Sequence, residues 1–445
     1  MGVDSEYSEG LVPFQPGGHG KFYLQGWSRP DQKAGWEITC DQPGDYAVNI
    51  LVRRKAGQKL RIEVLADGKS FRAELPEHAI NWQRIRLQSL IPLSVGPHRI
   101  AVRMQPLDKE SVFNADFHAL EFVRPEVEIS LQEAALSLRS DITWFQQARY
   151  GIFVHWTSQS MPHHGEQKPY AQAVADFNAE AFADQMKRTG AGFVVLTTSH
   201  AFQYFPAPIA SLDKILPRRT AERDLVADLS DALSLRGIKL MLYYHLGAAS
   251  DEKWLNATHF WESNTSNLFG NWKSIISEVG QRYKTKLAGW WFDDGATSYY
   301  YRSAPWEELE LASKAGHAQR LVGFNAWELN NPTLFHDFFT GEGFADPRGY
   351  NQLLVRDGSG RYLSGTHQGL QSSACMITEE DWGHFSKDRP IGPPRWNAEQ
   401  LAALIREFAA YRNVPIFNLE IYQDGTVSPQ TVIVFEEASR MLNEK

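Results

Sequence analysis

Sulfur chemistry is almost missing from this chain of 445 residues, which has only two cysteines, Cys40 and Cys375, far apart in sequence. That excludes a disulfide scaffold and a cysteine-built zinc site. No run of 18 apolar residues occurs, so no segment reads as a membrane-spanning helix. Lys and Arg form no dense block and the net charge is −8, a poor match for a phosphate backbone. Neither a nucleic acid nor a membrane is therefore an expected partner. The opening MGVDSEYSEG is polar and is no signal peptide. The location stays open: periplasmic or secreted if a leader has been removed, cytoplasmic otherwise.

Ordinary globular composition is what remains, 43% hydrophobic and 22% charged. The length exceeds one average core and predicts two domains. Aromatics reach 12%, with 14 Trp. Their flat faces suit the apolar faces of sugar rings, and they equally fill large cores.

Periodicity divides the chain. From Lys21 to about Val123, short alternating runs such as KLRIEVLADGKS and GPHRIAVRMQ are separated by Pro-Gly, Asp-Gly and Gly-Pro turns. Period-two alternation of this kind predicts an antiparallel β-sandwich over residues 1–125. Its order of pieces resembles the jelly-roll carbohydrate-binding modules, which implies either sugar binding or a structural role. Residues 126–149 have helical spacing and predict a connector. From 150 to 445 the rhythm is strand then helix, with apolar runs at 150–156, 192–200, 239–247, 289–295, 321–327, 336–343, 374–382 and 414–422. Most are continuously apolar in their first half, as doubly covered parallel strands should be. Between them lie amphipathic helices, one opened by Asn397 with Gln400 three residues on, a capping box, and others closed by Gly190 and Gly237. The expected fold class is α/β, a (β/α)₈ TIM-like barrel, irregular at its short fifth unit, preceded by the all-β jelly-roll or sandwich domain.

Chemistry in such barrels gathers where the strands end. The runs finish in His155-Trp156, Ser199-His200, Tyr243-Tyr244-His245, Asp293-Asp294, Asn325-Ala326-Trp327, Glu342, Glu379-Glu380-Asp381, and Asn418 with Glu420. Two facing carboxylates among aromatics and histidines form the constellation for glycosidic bond cleavage. Asp293, short and set on an aromatic strand, suits the nucleophile. Glu342, in the glycine-flanked TGEG turn, suits the acid/base, with Asp294, Glu379, Glu380 and Glu420 as alternatives. A metal reading, with His155, His200, His245 and Asp293 as zinc ligands, has no HxH or HExxH spacing behind it. No metal and no cofactor are expected.

From about Trp144 onward the chain resembles the family 29 glycoside hydrolases, the retaining α-L-fucosidases. The carriers are ARYGIFVHW, FNAEAFADQMKRTGAGFVVLTTSH, RDLVADLSDALSLRGIKLMLYY, WWFDDG, HDFFTGEG, ACMITEEDWGHF and NLEIYQDGTVSP, in collinear order. The resemblance implies a sugar-contacting His155 and strand Tyr243 or Tyr244, Asp293 as nucleophile, Trp291 beside it, and Glu342 as acid/base. Trp156, His200 and Trp327 join the expected substrate shell. The implied function is retaining exo-α-L-glycoside hydrolysis, fucose first, of an oligosaccharide or glycoconjugate. The departures are Ala201 where the family has a second histidine, no Glu-Trp-Tyr segment, and no arginine near strand five. They leave open a related sugar, or a barrel that binds sugar without turning it over.

Overall fold

The computed structural model describes residues 5–14, 23–56, 59–75, 82–107, 113–247, 250–262, 264–293, 304–325, 333–342, 354–363 and 368–444. Short strands come first: β1 (Glu6–Tyr7), β2 (Val12–Phe14), β3 (Tyr23–Trp27), β4 (Lys33–Cys40), β5 (Gly44–Ala56) and β6 (Leu60–Ala66). They continue as β7 (Lys69–Leu75), β8 (Gln83–Arg86), β9 (Ile91–Leu93), β10 (Gly96–Pro106) and β11 (Asn114–Val123). One antiparallel sheet runs β1-β4-β10-β6-β7, the other β2-β3-β11-β5-β8 with β9 also on β5. Alternation chooses the buried face. In β6, Leu60, Ile62, Val64 and Ala66 point inward and meet Ile50, Val52 and Phe117 of the other sheet in one apolar cluster. Between β6 and β7 the turn passes through Asp67 and Gly68, both at positive φ, the backbone a tight hairpin demands.

Two helices follow, α1 (Pro125–Leu138) and α2 (Thr143–Gln147). Then strand and helix alternate. β12 (Gly151–Val154) leads to α3 (Tyr170–Asp176) and α4 (Ala179–Thr189), and β13 (Phe193–Ser199) to α5 (Ala210–Ile215) and α6 (Leu225–Leu235). β14 (Lys239–His245) leads to α7 (Glu252–Thr258) and α8 (Ser266–Tyr283), and β15 (Gly289–Asp293) to α9 (Trp306–Ser313). β16 (Leu321–Phe324), β17 (Ser373–Ile377), α10 (Ala398–Ala410), β18 (Val414–Leu419) and α11 (Pro429–Asn443) complete the chain. The expected caps are present: Asn397 and Gln400 form a reciprocal capping box, and Gly190 closes α4 at φ +79°.

The seven strands make one parallel sheet, β16-β15-β14-β13-β12-β18-β17, curled around an interior cluster. Phe153, Val195, Met241, Tyr243 and Trp291 point into it, while Val154, Leu196, Leu242, Tyr244 and Trp290 point out to the helices. The expected strand at 336–343 is not one. Its described part makes only an isolated bridge, Phe338 to Gln371. Even so, the segment hydrogen-bonds to both edges of the sheet. Asp337 N donates to Val322 O (2.7 Å) on β16, and Cys375 N on β17 donates to Gly341 O (3.3 Å). Asp337 replaces the regular ladder with its side chain, accepting from Val322 N (2.9 Å) and Ser140 N (2.7 Å).

That last bond ties α1 and α2 to the curled sheet. Arg139 donates to Leu334 O, just before the 336–342 segment, and to Gly369 O, just before β17 (both 3.1 Å). Phe145 of α2 is fully buried, its ring 4.9 Å from Phe193 and 5.2 Å from Phe338. It plugs the end of the sheet where the strands begin. Phe145→Ala should therefore cost about 3–5 kcal/mol, as large core truncations do. Chemical denaturation would measure it, and a loss below about 1 kcal/mol would contradict the plug.

Candidate active site

Parallel strands deliver their C-terminal ends to one side, and inward alternation selects His155, Tyr243, His245 and Asp293 there. His200 is brought in by an irregularity. The register between β13 and β14 shifts between Thr197 and Ser199, so one extra residue turns His200 toward the interior side. Strict alternation from Thr197 would have sent it outward. The three histidines pack edge to face, with rings of His155 and His200 4.5 Å apart and those of His200 and His245 5.0 Å apart.

Asp293 is 7% exposed and both its oxygens are held. Tyr243 Oη donates to Oδ2 (2.5 Å), Asn325 Nδ2 donates to Oδ1 (2.8 Å), and His245 Nε2 lies 4.0 Å from Oδ2. The same Asn325 amide nitrogen donates to Glu342 Oε2. Thr340 Oγ1 in turn donates to Asn325 Oδ1 (2.9 Å), which fixes which end of the amide faces the acids. Two carboxylate oxygens on one nitrogen are at most about two hydrogen-bond lengths apart, roughly 6 Å. That upper limit lies below the ~6.5–9.5 Å of inverting glycosidases and admits the ~5–5.5 Å of retaining ones.

The electrostatics separate the groups. Burial alone would push the Asp293 carboxyl up, but the charge of His245, the Tyr243 hydroxyl, the Asn325 amide and the charge of His200 outweigh it, and the pKa is lowered. Burial, then the charges of His200 and His245, hold His155 well below the usual imidazole range, so its ring is neutral. Cys375 lies under the pair, and burial followed by the charges of Glu342 and Asp293 keeps its thiol protonated.

The remaining expected residues scatter. Trp156 and Tyr244 point outward into the helix layer, Trp156 donating to Gln423 O (3.0 Å) and Tyr244 packing against Phe205. Neither joins the cluster, because each lies one residue out of phase with the inward face. Trp291 faces inward but is 1% exposed, stacked on Tyr243 (5.3 Å), so it supports that tyrosine from below. Trp327 and Asp294 lie outside the described residues. Asn325 and His245 end their strands and were legible as polar strand ends, whereas Trp382, ring 6.4 Å from His155, came with no such signal.

The alternative acids have structural partners. Glu380 is exposed and pairs with Arg389. Glu420 Oε1 accepts from Glu380 N (3.2 Å) and Asp381 N (3.0 Å), holding the turn that carries Trp382. Glu379 is 2% exposed and accepts from Thr431 Oγ1 (2.6 Å) and Glu420 N (3.0 Å). For a metal, His200, His245 and Asp293 offer ligand atoms within 4.8 Å of one another. Each Asp293 oxygen already accepts a hydrogen bond, from Tyr243 or Asn325, so a cation there would share those oxygens with them.

Residues 170–352 match the family model for alpha-L-fucosidase. The tissue alpha-L-fucosidases of Bos taurus and Homo sapiens are each 31% identical over 138 residues, 23% of this chain. The chain spans 29% of the length of those relatives. The plasma alpha-L-fucosidase of Homo sapiens is 23% identical over 356 residues, 69% of this chain and 68% of the relative. Among solved structures, a bacterial fucosidase with an iminocyclitol inhibitor superposes with a TM-score of 0.51 at 18% identity, covering 68% of this chain and 75% of that one. The GH29 alpha-L-fucosidase of Bacteroides thetaiotaomicron does so at 0.50 and 17%, covering 68% and 74%. These likenesses carry the fold of the curled sheet and its helices.

One consequence is testable without substrate. Burial lifts the Glu379 carboxyl to about 8, against the smaller opposing effect of its hydrogen bonds from Thr431 and Glu420 N, and the Glu420 charge lifts it further. The folded chain therefore binds a proton that the unfolded chain has lost between pH about 4.5 and about 8. Stability from this group is present at the low end of that window and falls as pH rises. Melting temperature should decline across it, and Glu379→Gln should flatten the decline. An equal slope in both proteins would show that Glu379 is charged throughout.

Proposed function

We propose that the chain is a retaining exo-α-L-glycosidase of the α-L-fucosidase type. The observation that carries the reading is the Asn325 amide shared by Asp293 and Glu342. Asp293 attacks the anomeric carbon as the glycosidic C–O bond breaks, and Glu342 delivers its proton to the departing oxygen. Glu342 then takes a proton from water, which displaces Asp293 and releases the sugar with its configuration retained. Tyr243 and Asn325 keep Asp293 charged for the attack. The structural likeness and the family match support fucose as the first substrate to try.

The shell around the sugar is this chain's own. Ala201, at φ +55°, offers no donor where the resembling family has a second histidine. His245 and neutral His155 flank His200 and supply donors from neighbouring strands. In this reading the segment 336–342 fills the eighth position of an irregular (β/α)₈ barrel spanning 150–445. The connector 126–149 completes its floor, and 1–125 is a sandwich resembling carbohydrate-binding modules. The partner is a glycan or glycoconjugate ending in the cleaved sugar.

Hydrolysis of an aryl α-L-fucoside, followed by NMR, should give the α-anomer first. Asp293→Asn should lower kcat by at least about 10³-fold, as loss of a covalent nucleophile does. Inversion, or near-normal turnover in that variant, would overturn the reading. Loss of activity in a chelator would favour the metal cluster instead. Asn325→Asp places a third acid between the pair, so the acidic limb of the kcat/KM profile should move up by about one pH unit or more. An unmoved limb would mean that Asn325 does not set the charge of Asp293.

A further inference from the structure

The inward turn of His200 brings two imidazoles to one carboxylate. Ligand atoms of His200, His245 and Asp293 all lie within 4.8 Å of one another, with His245 Nε2 4.0 Å from Asp293 Oδ2. Zinc held tetrahedrally by bonds of about 2.0–2.1 Å spaces its ligand atoms roughly 3.3 Å apart. Even a full 4.8 Å gap has to close by only about 1.5 Å, a small swing of an imidazole about its own side-chain bonds. His155 stays out: its ring packs against His200, and its Nδ1 lies 3.4 Å from Thr197 Oγ1. Three protein ligands then leave a fourth position for water.

The ligands are held from behind, as those of metal sites are. His245 donates its backbone N to Ser199 Oγ (3.2 Å), and its carbonyl accepts from Gln203 Nε2 (2.8 Å). Asp293 accepts from Tyr243 on Oδ2 and from Asn325 on Oδ1, and each oxygen keeps a lone pair for a cation. Tyr243 and Asn325 are neutral and do not repel one. The surrounding charge also favours a cation. No Lys or Arg stands at the ends of the eight apolar runs, whereas Asp293 and Glu342 both do. The donors decide the kind of metal. Two imidazole nitrogens and one carboxylate oxygen suit zinc, copper or nickel, while calcium and magnesium take oxygen ligands throughout.

Resting on the proposed glycosidase reading, we infer that His200, His245 and Asp293 form an inhibitory site for a first-row divalent metal ion, with zinc the first to test. The ion and the sugar are alternatives. A carboxylate oxygen bound to zinc shares its electron pair with the metal and is withdrawn from attack on an anomeric carbon. The ion also fills the space beside Asp293 that the sugar needs. The metal takes no part in bond cleavage, and it holds the chain inactive until a stronger ligand removes it. Free zinc then sets, by mass action, the fraction of chain able to turn over a glycoside.

Binding is measured without substrate, by calorimetry with Zn²⁺ and by the visible absorption of added Co²⁺, on the full chain freed of metal by a chelator. His200→Ala and His245→Ala should each weaken Zn²⁺ binding by at least about tenfold. His200→Phe and His245→Phe, which keep a ring, replace them if melting curves show an alanine variant unfolded. A double variant, His163→Ala with His164→Ala, removes an exposed stacked pair where zinc could settle instead, and should leave binding unaltered. Absence of binding at about 1 mM Zn²⁺, binding that survives the His200 and His245 variants, or binding lost with His163 and His164 would overturn the site. Turnover of an aryl α-L-fucoside supplies the second arm. Zn²⁺ should raise KM with kcat unchanged, and a chelator should reverse the effect. A fall in kcat without a rise in KM, or turnover abolished by the chelator, would overturn the inhibition. Binding that depends on His200 and His245 in a chain that hydrolyses no fucoside upholds the metal site and sinks the glycosidase reading alone.

Discussion

Two carboxylates near one another repel, and burying them makes the repulsion worse. In this chain the conflict is resolved by one nitrogen. Asn325 presents its two amide hydrogens to Asp293 and Glu342, and Thr340 fixes the other end of the amide. Much of the surrounding architecture serves that placement. β15 and β16 are parallel neighbours, so Asp293 at the end of β15 and Asn325 just past the end of β16 arrive side by side. Glu342 comes from a segment that is not a strand at all and must be brought to the same point by other means.

Those means are buried polar anchors. Asp337 takes bonds from Val322 N and Ser140 N and faces Lys314 at 3.3 Å, with Glu310 on the other side of that lysine at 3.0 Å. A buried ion group of this kind adds little net stability over apolar packing, but breaking it by removing one partner is expensive. Its return is a single geometry for the chain on either side. At Gly341 the backbone adopts φ +69° and passes so close to Ser373 and Ala374 that any side chain would collide with them. Glu342 thus leaves a turn that only glycine permits, aimed at the asparagine.

Much of this was legible in the residues. Period-two alternation located the two antiparallel sheets, and continuous apolar runs located seven parallel strands, because burial on one face or on two leaves different patterns. The acids Asp293 and Glu342 were legible as polar ends of apolar runs. What failed was phase and regularity. Trp156 and Tyr244 sit at strand ends like their neighbours, yet one residue of phase sends them to the helix layer. HDFFTGEG has the apolar content of a strand, but Asp337 accepts with its carboxylate the backbone N–H bonds that a strand would accept with its carbonyl oxygens. The role of Asn325 depends on three residues from separate segments, a relation that no local pattern encodes.

The extra residue in β13 between Thr197 and Ser199 has a wider consequence. A parallel strand normally transmits only the identity of its side chains to the site. Here the strand also transmits a count. Shortening it by one residue would leave the composition near the site almost unaltered and yet swing His200 toward the helices, drawing Ala201 and Phe202 with it. Under the proposed glycosidase reading, substrate choice is accordingly open to insertion and deletion as well as to substitution, and two chains with the same residues at their strand ends need not offer the same face to a ligand.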